Sequence, residues 1–338
     1  MLKERGKMPA IYTDTLTLPR LPRATADTIE FKKVKGIFDS VSTLEGEGFP
    51  VRRPFPTRWL NFADPFLLLD QMGAVDYAPG EAKGTPWHPH RGFETVTYIM
   101  DGVMDHRDSH GGGGTITNGD TQWMTAGSGI LHIEAPPEWL VVKGGLFHGV
   151  QLWVNLPASQ KFAAPKYQDI RSNQLALISS DDGGSLIRVI AGSISGFEGP
   201  GMTQTPIIYA HATISPGARL ELDWPGGHSA MVYSLLGSGT SGKERARTKE
   251  GQLALFGSGK AISIEADLSQ PSYSPYGWEV LILGGVPINE PVARYGPFVM
   301  NTQDEIKAAF EDFQAGKMGS IPVERIPHRS EADTPLED

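Results

Sequence analysis

One arrangement recurs in the two halves of this chain, and it restricts the fold more than any other feature. The first half reads TVTYIMDG and then NGDTQWMTAGSGILHIE; the second reads SAMVYSLLGSG and then KEGQLALFGSGKAISIEA. Strand, glycine turn, strand and the tripeptide GSG follow in the same order each time. A unit that repeats at this length is read as two copies of one supersecondary element. The element is a β unit, because 40 glycines and 26 prolines break the chain into brief apolar runs. Such runs include 95–100, 121–126, 150–156, 185–192, 219–224, 229–237, 252–257 and 278–285, several of them alternating apolar with polar residues as half-buried strands do. Convincing helix periodicity occurs once, at 302–316. There Thr302 can cap, Glu305 sits three positions later, Ile306, Phe310 and Phe313 share a face, and Gly316 can end the helix.

The expected fold is therefore all-β: two jelly-roll barrels packed side by side, with one short C-terminal helix. The organisation expected from this is an N-terminal extension over 1–30 and a first barrel over 31–157. A second barrel follows over 168–300, then a helix and acidic tail over 301–338. The stretch LPASQKFAAPKYQ (156–168) reads as the join. The extension is expected to be loose, and the final SEADTPLED disordered.

Composition removes several classes of function. A net charge of −9 disfavours a phosphate-binding surface, so no direct nucleic-acid partner is expected, and a basic protein partner suits the acidity better. The chain has no cysteine, so any metal must be held by nitrogen and oxygen. No run of about 18 apolar residues exists and the N-terminus has no apolar central stretch, which leads to the expectation of a cytoplasmic protein, or a nuclear one in a eukaryote.

The chain has only 9 histidines, and three of them fall in a telling pattern. His88 and His90 lie two apart in WHPHRGFETVTY; His132 and Glu134 lie two apart in GSGILHIE. On a strand, residues i and i+2 face the same way. Two such pairs on neighbouring strands bring three imidazoles and one carboxylate to one point. That donor set suits Fe, Mn, Co, Ni, Cu or Zn, and an octahedral ion keeps two positions open. Aligning the two GSG tripeptides places Ile262 opposite His132 and Ile264 opposite Glu134. One metal is therefore expected, in the first barrel.

The ordered motifs DPFLLLDQMG (64–73), HPHRGFETVTY (88–98), GDTQWMTAGSGILHIE (119–134), QLWVNLP (151–157), PKYQDI (165–170) and EPVARYGPFVMNT (290–302) resemble the pirin family, a branch of the cupin superfamily. The resemblance covers about residues 30 to 319. It implies a bicupin with one metal, usually iron as Fe(2+), in the N-terminal cupin, held by His88, His90, His132 and Glu134. Cupins commonly ligate through the glutamate that is Glu94 here; pirins shift that role, which leaves Glu94 either to accept a hydrogen bond behind the metal ligands or, the expected reading, to form a core salt bridge with an arginine such as Arg91.

Some pirins resemble quercetin 2,3-dioxygenases, which open a flavonol with O2 and release CO. Others modulate a transcription factor and sense redox state through iron. The enzyme is the expected reading, with a flavonol-like aromatic substrate and Glu134 as catalytic base; a transcription regulator as partner, or a metal-binding protein without turnover, is the alternative. Phe93, Trp87, Trp123 and Met124 neighbour the ligands in sequence, divided between pocket and core. The run HGGGG (110–114) reads as a lid or an ordinary flexible loop, with His106 and His110 beside it as proton shuttles or, the expected reading, solvated loop histidines.

Overall fold

In a computed structural model of the chain, residue 9, residues 11–22 and residues 30–322 are described. The acidic tail and much of the N-terminal extension lie outside these residues.

Each half folds into a seven-stranded sheet and a four-stranded sheet, all pairings antiparallel. In the first half the larger sheet runs in the order Lys166–Ile170, Thr121–Thr125, Phe93–Asp101, Gly145–Asn155, Phe66–Tyr77, Phe49–Phe55, Val41–Glu45. The smaller runs His88–His90, Ile130–Ala135, Val103–Asp108, Gly113–Thr117. The second half repeats the design; its smaller sheet is Arg219–Asp223, Ala261–Ala266, Ser238–Ser241, Ala246–Lys249. Each of the eight apolar runs named from the sequence overlaps a strand.

Alternation along the strands explains how the barrels meet. From Phe93–Asp101, Val96, Tyr98 and Met100 point out of the first barrel; from Gly145–Asn155, Val150, Leu152 and Val154 do the same. They form one buried cluster with Tyr209, Tyr233, Leu281 and Leu283 of the second barrel. A fully buried side chain of this size contributes about 1.5–3 kcal/mol, so the two barrels behave as one body. The odd-numbered partners Thr97, Gln151 and Trp153 face inward and line the first barrel's cavity. The second barrel's interior is apolar: Ile262 and Ile264 lie opposite Leu222 and Leu220 in its core.

The barrels exchange edges. The strand Val34–Asp39, placed in the first barrel by the sequence reading, pairs with Gln252–Phe256 of the second. Lys166–Ile170 pairs with Thr121–Thr125 of the first. Residues 11–22 are not loose. Leu21 is buried, its amide donates to the Ser179 carbonyl at 2.8 Å, and Arg188 donates to the Ile11 carbonyl from the second barrel.

The C-terminal segment returns to the first barrel. The helix Gln303–Gln314 starts as expected, with Thr302 accepting from the Glu305 amide and the Glu305 carboxylate accepting from the Thr302 amide. Its Ile306 and Ala309 pack with Leu131, Phe298 and Met300, and Arg91 bonds Asp312 at 2.9 Å. No helix among the described residues is long and apolar enough to cross a membrane.

The join carries a buried lysine. Lys161 donates to the Gly92 carbonyl, Asn155 Oδ1 and the Val299 carbonyl at 2.8, 2.8 and 3.0 Å, so one ammonium ties join, first barrel and C-terminal hairpin. Burial lowers its pKa to about 8 from 10.5. Lys161→Met leaves three buried acceptors without a donor and is expected to cost about 2–3 kcal/mol in urea unfolding. Between pH 8 and 10.5 the unfolded chain holds a proton that the folded chain has shed, so wild-type stability rises with pH there relative to the variant. The gap between the two widens over that window; a gap that is flat or shrinking refutes the assignment.

Candidate metal centre

The strand His88–His90 pairs with Ile130–Ala135, placing His132 directly opposite His88 and Ile130 opposite His90. Pleating turns all three imidazoles to the barrel interior. Their nitrogens lie within 4.8 Å of one another. His88 Nε2 is 3.1 Å from His90 Nε2 and 2.8 Å from His132 Nε2. His90 and His132 are buried, His88 half-buried at the cavity wall.

The opposite ring nitrogens fix which atoms carry hydrogen. His88 Nδ1 lies 2.8 Å from the Pro86 carbonyl, and His90 Nδ1 3.2 Å from the Pro297 carbonyl. A carbonyl only accepts, so each Nδ1 bears the hydrogen and each Nε2 a bare lone pair. His132 Nδ1 lies 3.4 Å from His106 Nδ1, which already accepts from Gln122 Nε2 at 2.8 Å. The hydrogen therefore belongs on His132 Nδ1, and its Nε2 is bare as well.

Three bare lone pairs facing one another repel unless a positive charge lies between them. A proton is a poor candidate, because burial lowers the pKa of all three histidines, with His90 and His132 well below 6.5, and neighbouring histidines push the same way on those two. A metal cation fits: neutral imidazoles with the far nitrogen anchored to a carbonyl or another acceptor are the usual arrangement around a bound ion.

Glu134 stands next to this cluster but outside it. Its Oε1 accepts from Thr97 Oγ1 at 2.7 Å and Gln122 Nε2 at 3.1 Å; its Oε2 accepts from Gln151 Nε2 at 2.8 Å. The loop before the histidines lies flat on the same strand, with the Thr85 amide donating to the Glu134 carbonyl at 2.7 Å. Gly84 allows this, since a Cβ there would sit 2.4 Å from that carbonyl oxygen. Gly92, at φ +89°, makes the turn between the histidine strand and Phe93–Asp101, and a Cβ would sit 2.0 Å from the Val299 carbonyl.

Several expectations need correction. Glu94 does not pair with Arg91, which bonds Asp312 and the Ser128 carbonyl. Three positions from Thr97, Glu94 points out of the barrel and accepts from Thr125 and Thr203 at 2.8 and 2.9 Å. Parity alone thus removes it from the cavity. His106 is not a loop histidine: it lies buried on the strand Val103–Asp108, opposite Glu134, with its ring stacked on Tyr167. The run 110–114 is a turn tied by Asp108, which accepts from the amides of His110 and Gly112, and it leads into the strand Gly113–Thr117. None of its residues lines the cavity.

The cavity in front of the histidines measures about 520 Å³, within the usual range for small-molecule sites. Phe49, Val51, Leu68, Met72, Met104 and Trp153 supply apolar wall; His88, His90, Thr97, Glu134 and Gln151 supply the polar end. Of the four residues beside the ligands in sequence, Trp123 lies in the inter-barrel core, Met124 packs with Ala126 and Ile130, and Trp87 lies against the C-terminal helix cluster. Phe93 packs against the rings of His90 and Trp153. The wall residues that sequence reasoning missed, Gln151 and Trp153, alternate with the core residues of a strand it had named.

Two antiparallel barrels, the first with a histidine cluster in its interior, define a protein of the cupin type. Comparison with known proteins narrows this. The family model described as Pirin matches residues 48–154, and that described as Pirin C-terminal cupin domain matches 209–319. A Pseudomonas aeruginosa protein provisionally named quercetin 2,3-dioxygenase is 41% identical over 290 residues, covering 85% of this chain and 98% of that protein. Human pirin is 38% identical over 291 residues, covering 85% and 94%. A crystal structure titled quercetin 2,3-dioxygenase from Acinetobacter baumannii superposes with a TM-score of 0.79 at 40% identity, covering 86% of this chain and all of that one. The chain belongs to the pirin family.

Proposed function

We propose that His88, His90, His132 and Glu134 hold one divalent metal ion, Fe(2+) in the first place, and that the protein is an oxidoreductase. In this reading it opens the central ring of a flavonol such as quercetin with O2 and releases CO. The observation that carries this reading is the convergence of three Nε2 atoms at the end of a cavity with apolar walls. A bound ion there supplies Lewis acidity, making a hydroxyl held against it more acidic, and a fixed point for orienting the ring. Glu134 takes the proton of the flavonol 3-hydroxyl. Thr97, Gln122 and Gln151 keep its carboxylate aimed while it does so. Trp153 and the aliphatic wall bind the flat rings and exclude water. The ring carbon bonds then break as both atoms of O2 enter the product, and one carbon leaves as CO. The names of the Pseudomonas and Acinetobacter relatives agree with this chemistry.

The test is direct. Protein loaded separately with Fe, Mn, Co, Ni or Cu is incubated with quercetin under O2, following loss of visible absorbance and CO release. One CO per flavonol, abolished by chelation, is the expected result. No turnover with any of the five ions overturns the dioxygenase reading and turns attention to a metal-dependent binding role.

A further inference from the structure

Two guanidiniums line the cavity, and their surroundings differ. Arg53 is matched by carboxylates: Nε and Nη2 fork onto Asp70 at 2.7 and 2.5 Å, and Nη2 also reaches Glu45 at 2.5 Å. Arg294 is half-buried. Its Nη1 donates to the Leu67 carbonyl at 3.1 Å, and no carboxylate among the described residues is paired with it. Burial, and then the neighbouring Arg53, both lower its pKa. A guanidinium has five N–H donors, so most of those on Arg294 are open to a ligand. A partly dehydrated guanidinium with most of its donors unpaired is costly until an anion joins it.

Its place on the chain ties it to the histidines. Arg294 lies on the strand Ala293–Tyr295, opposite Val299 of Phe298–Met300. The turn of that same hairpin carries Pro297, whose carbonyl orients His90. One hairpin therefore contributes to both the imidazole end and the cationic end of the cavity.

We infer that the cavity takes an anionic substrate: a hydroxylated aromatic compound carrying a carboxylate remote from its reacting hydroxyl, with the carboxylate paired to Arg294. The inference rests on the metal reading above for the other end of the substrate only. A fork of two N–H donors on a carboxylate is the geometry that arginine supplies and lysine does not.

The probes are 3-hydroxyflavone and its 4′-carboxylate, which share a ring system and differ by one charge. Each is titrated anaerobically against iron-loaded and chelator-stripped protein by quenching of tryptophan fluorescence, Trp153 being in the cavity wall. The quantity read is the ratio of the two affinities, which is insensitive to a reduced folded fraction. Wild type is expected to prefer the carboxylate by about ten- to a hundredfold. Arg294→Gln brings the ratio to about one, and Arg294→Lys falls between. A wild-type ratio of one or less overturns the inference, as does a ratio unchanged in Arg294→Gln. Failure of the metal reading shows separately: chelation then alters neither affinity, while the ratio still reports on Arg294.

Discussion

His132→Ala binds metal more than about a hundredfold more weakly than wild type and purifies with little of it. Loss of a residue that merely orients a ligand already costs 10–100-fold in affinity, and His132 is one of the three imidazoles themselves. It is fully buried, on a strand paired on both sides, with its Nε2 2.8 Å from His88. Elemental analysis reads the outcome, and a thermal shift on adding metal reads it independently. Metal at a hundred times its dissociation constant stabilises the folded state by about 2.7 kcal/mol; wild type gains this and the variant does not. Ile262→Ala in the second barrel is the control. It opens a hole in an apolar core and costs about 2–5 kcal/mol, yet its metal content and its shift on adding metal stay as in wild type. Equal metal in His132→Ala and wild type removes the site.

How far the sequence went is explained by the range of its signals. Strand alternation is local, so the strands and the His88, His90 and His132 convergence were readable from spacing two. The repeat was readable because both copies keep GSG at the same turn. Edge exchange was not readable: Val34–Asp39 precedes the first barrel in the chain but completes the second sheet, and nothing in its residues names a partner more than 200 positions away. Pro297 was missed for the same reason, since a backbone carbonyl that orients His90 leaves no trace in residue type. His106 was misread because HGGGG follows it closely; yet it lies on the strand paired with Ile130–Ala135, where register sets it opposite Glu134. Glu94 could have been settled by parity with Thr97 had the inward face been known.

Glu134→Gln separates binding of the metal from the chemistry proposed for it. The amide keeps the size of the carboxylate but cannot take up the proton of a substrate hydroxyl. It also suits its neighbours less well. Thr97, Gln122 and Gln151 all direct donors at the carboxylate, so the new NH2 group faces at least one donor with a donor. Three imidazoles remain, and at saturating iron the metal content stays near that of wild type. Turnover of quercetin does not: a positioned general base contributes about 10²–10⁴-fold, and kcat/KM is expected to fall by that much. Gln151→Leu, which removes one donor from Oε2 and leaves the base in place, falls by a smaller factor. Metal lost in step with turnover assigns the whole effect to the ligand role of Glu134 and removes the case for it as the base. Turnover equal to wild type, with iron bound, takes the carboxylate out of the reaction, and the proton must then leave through another group of the cavity.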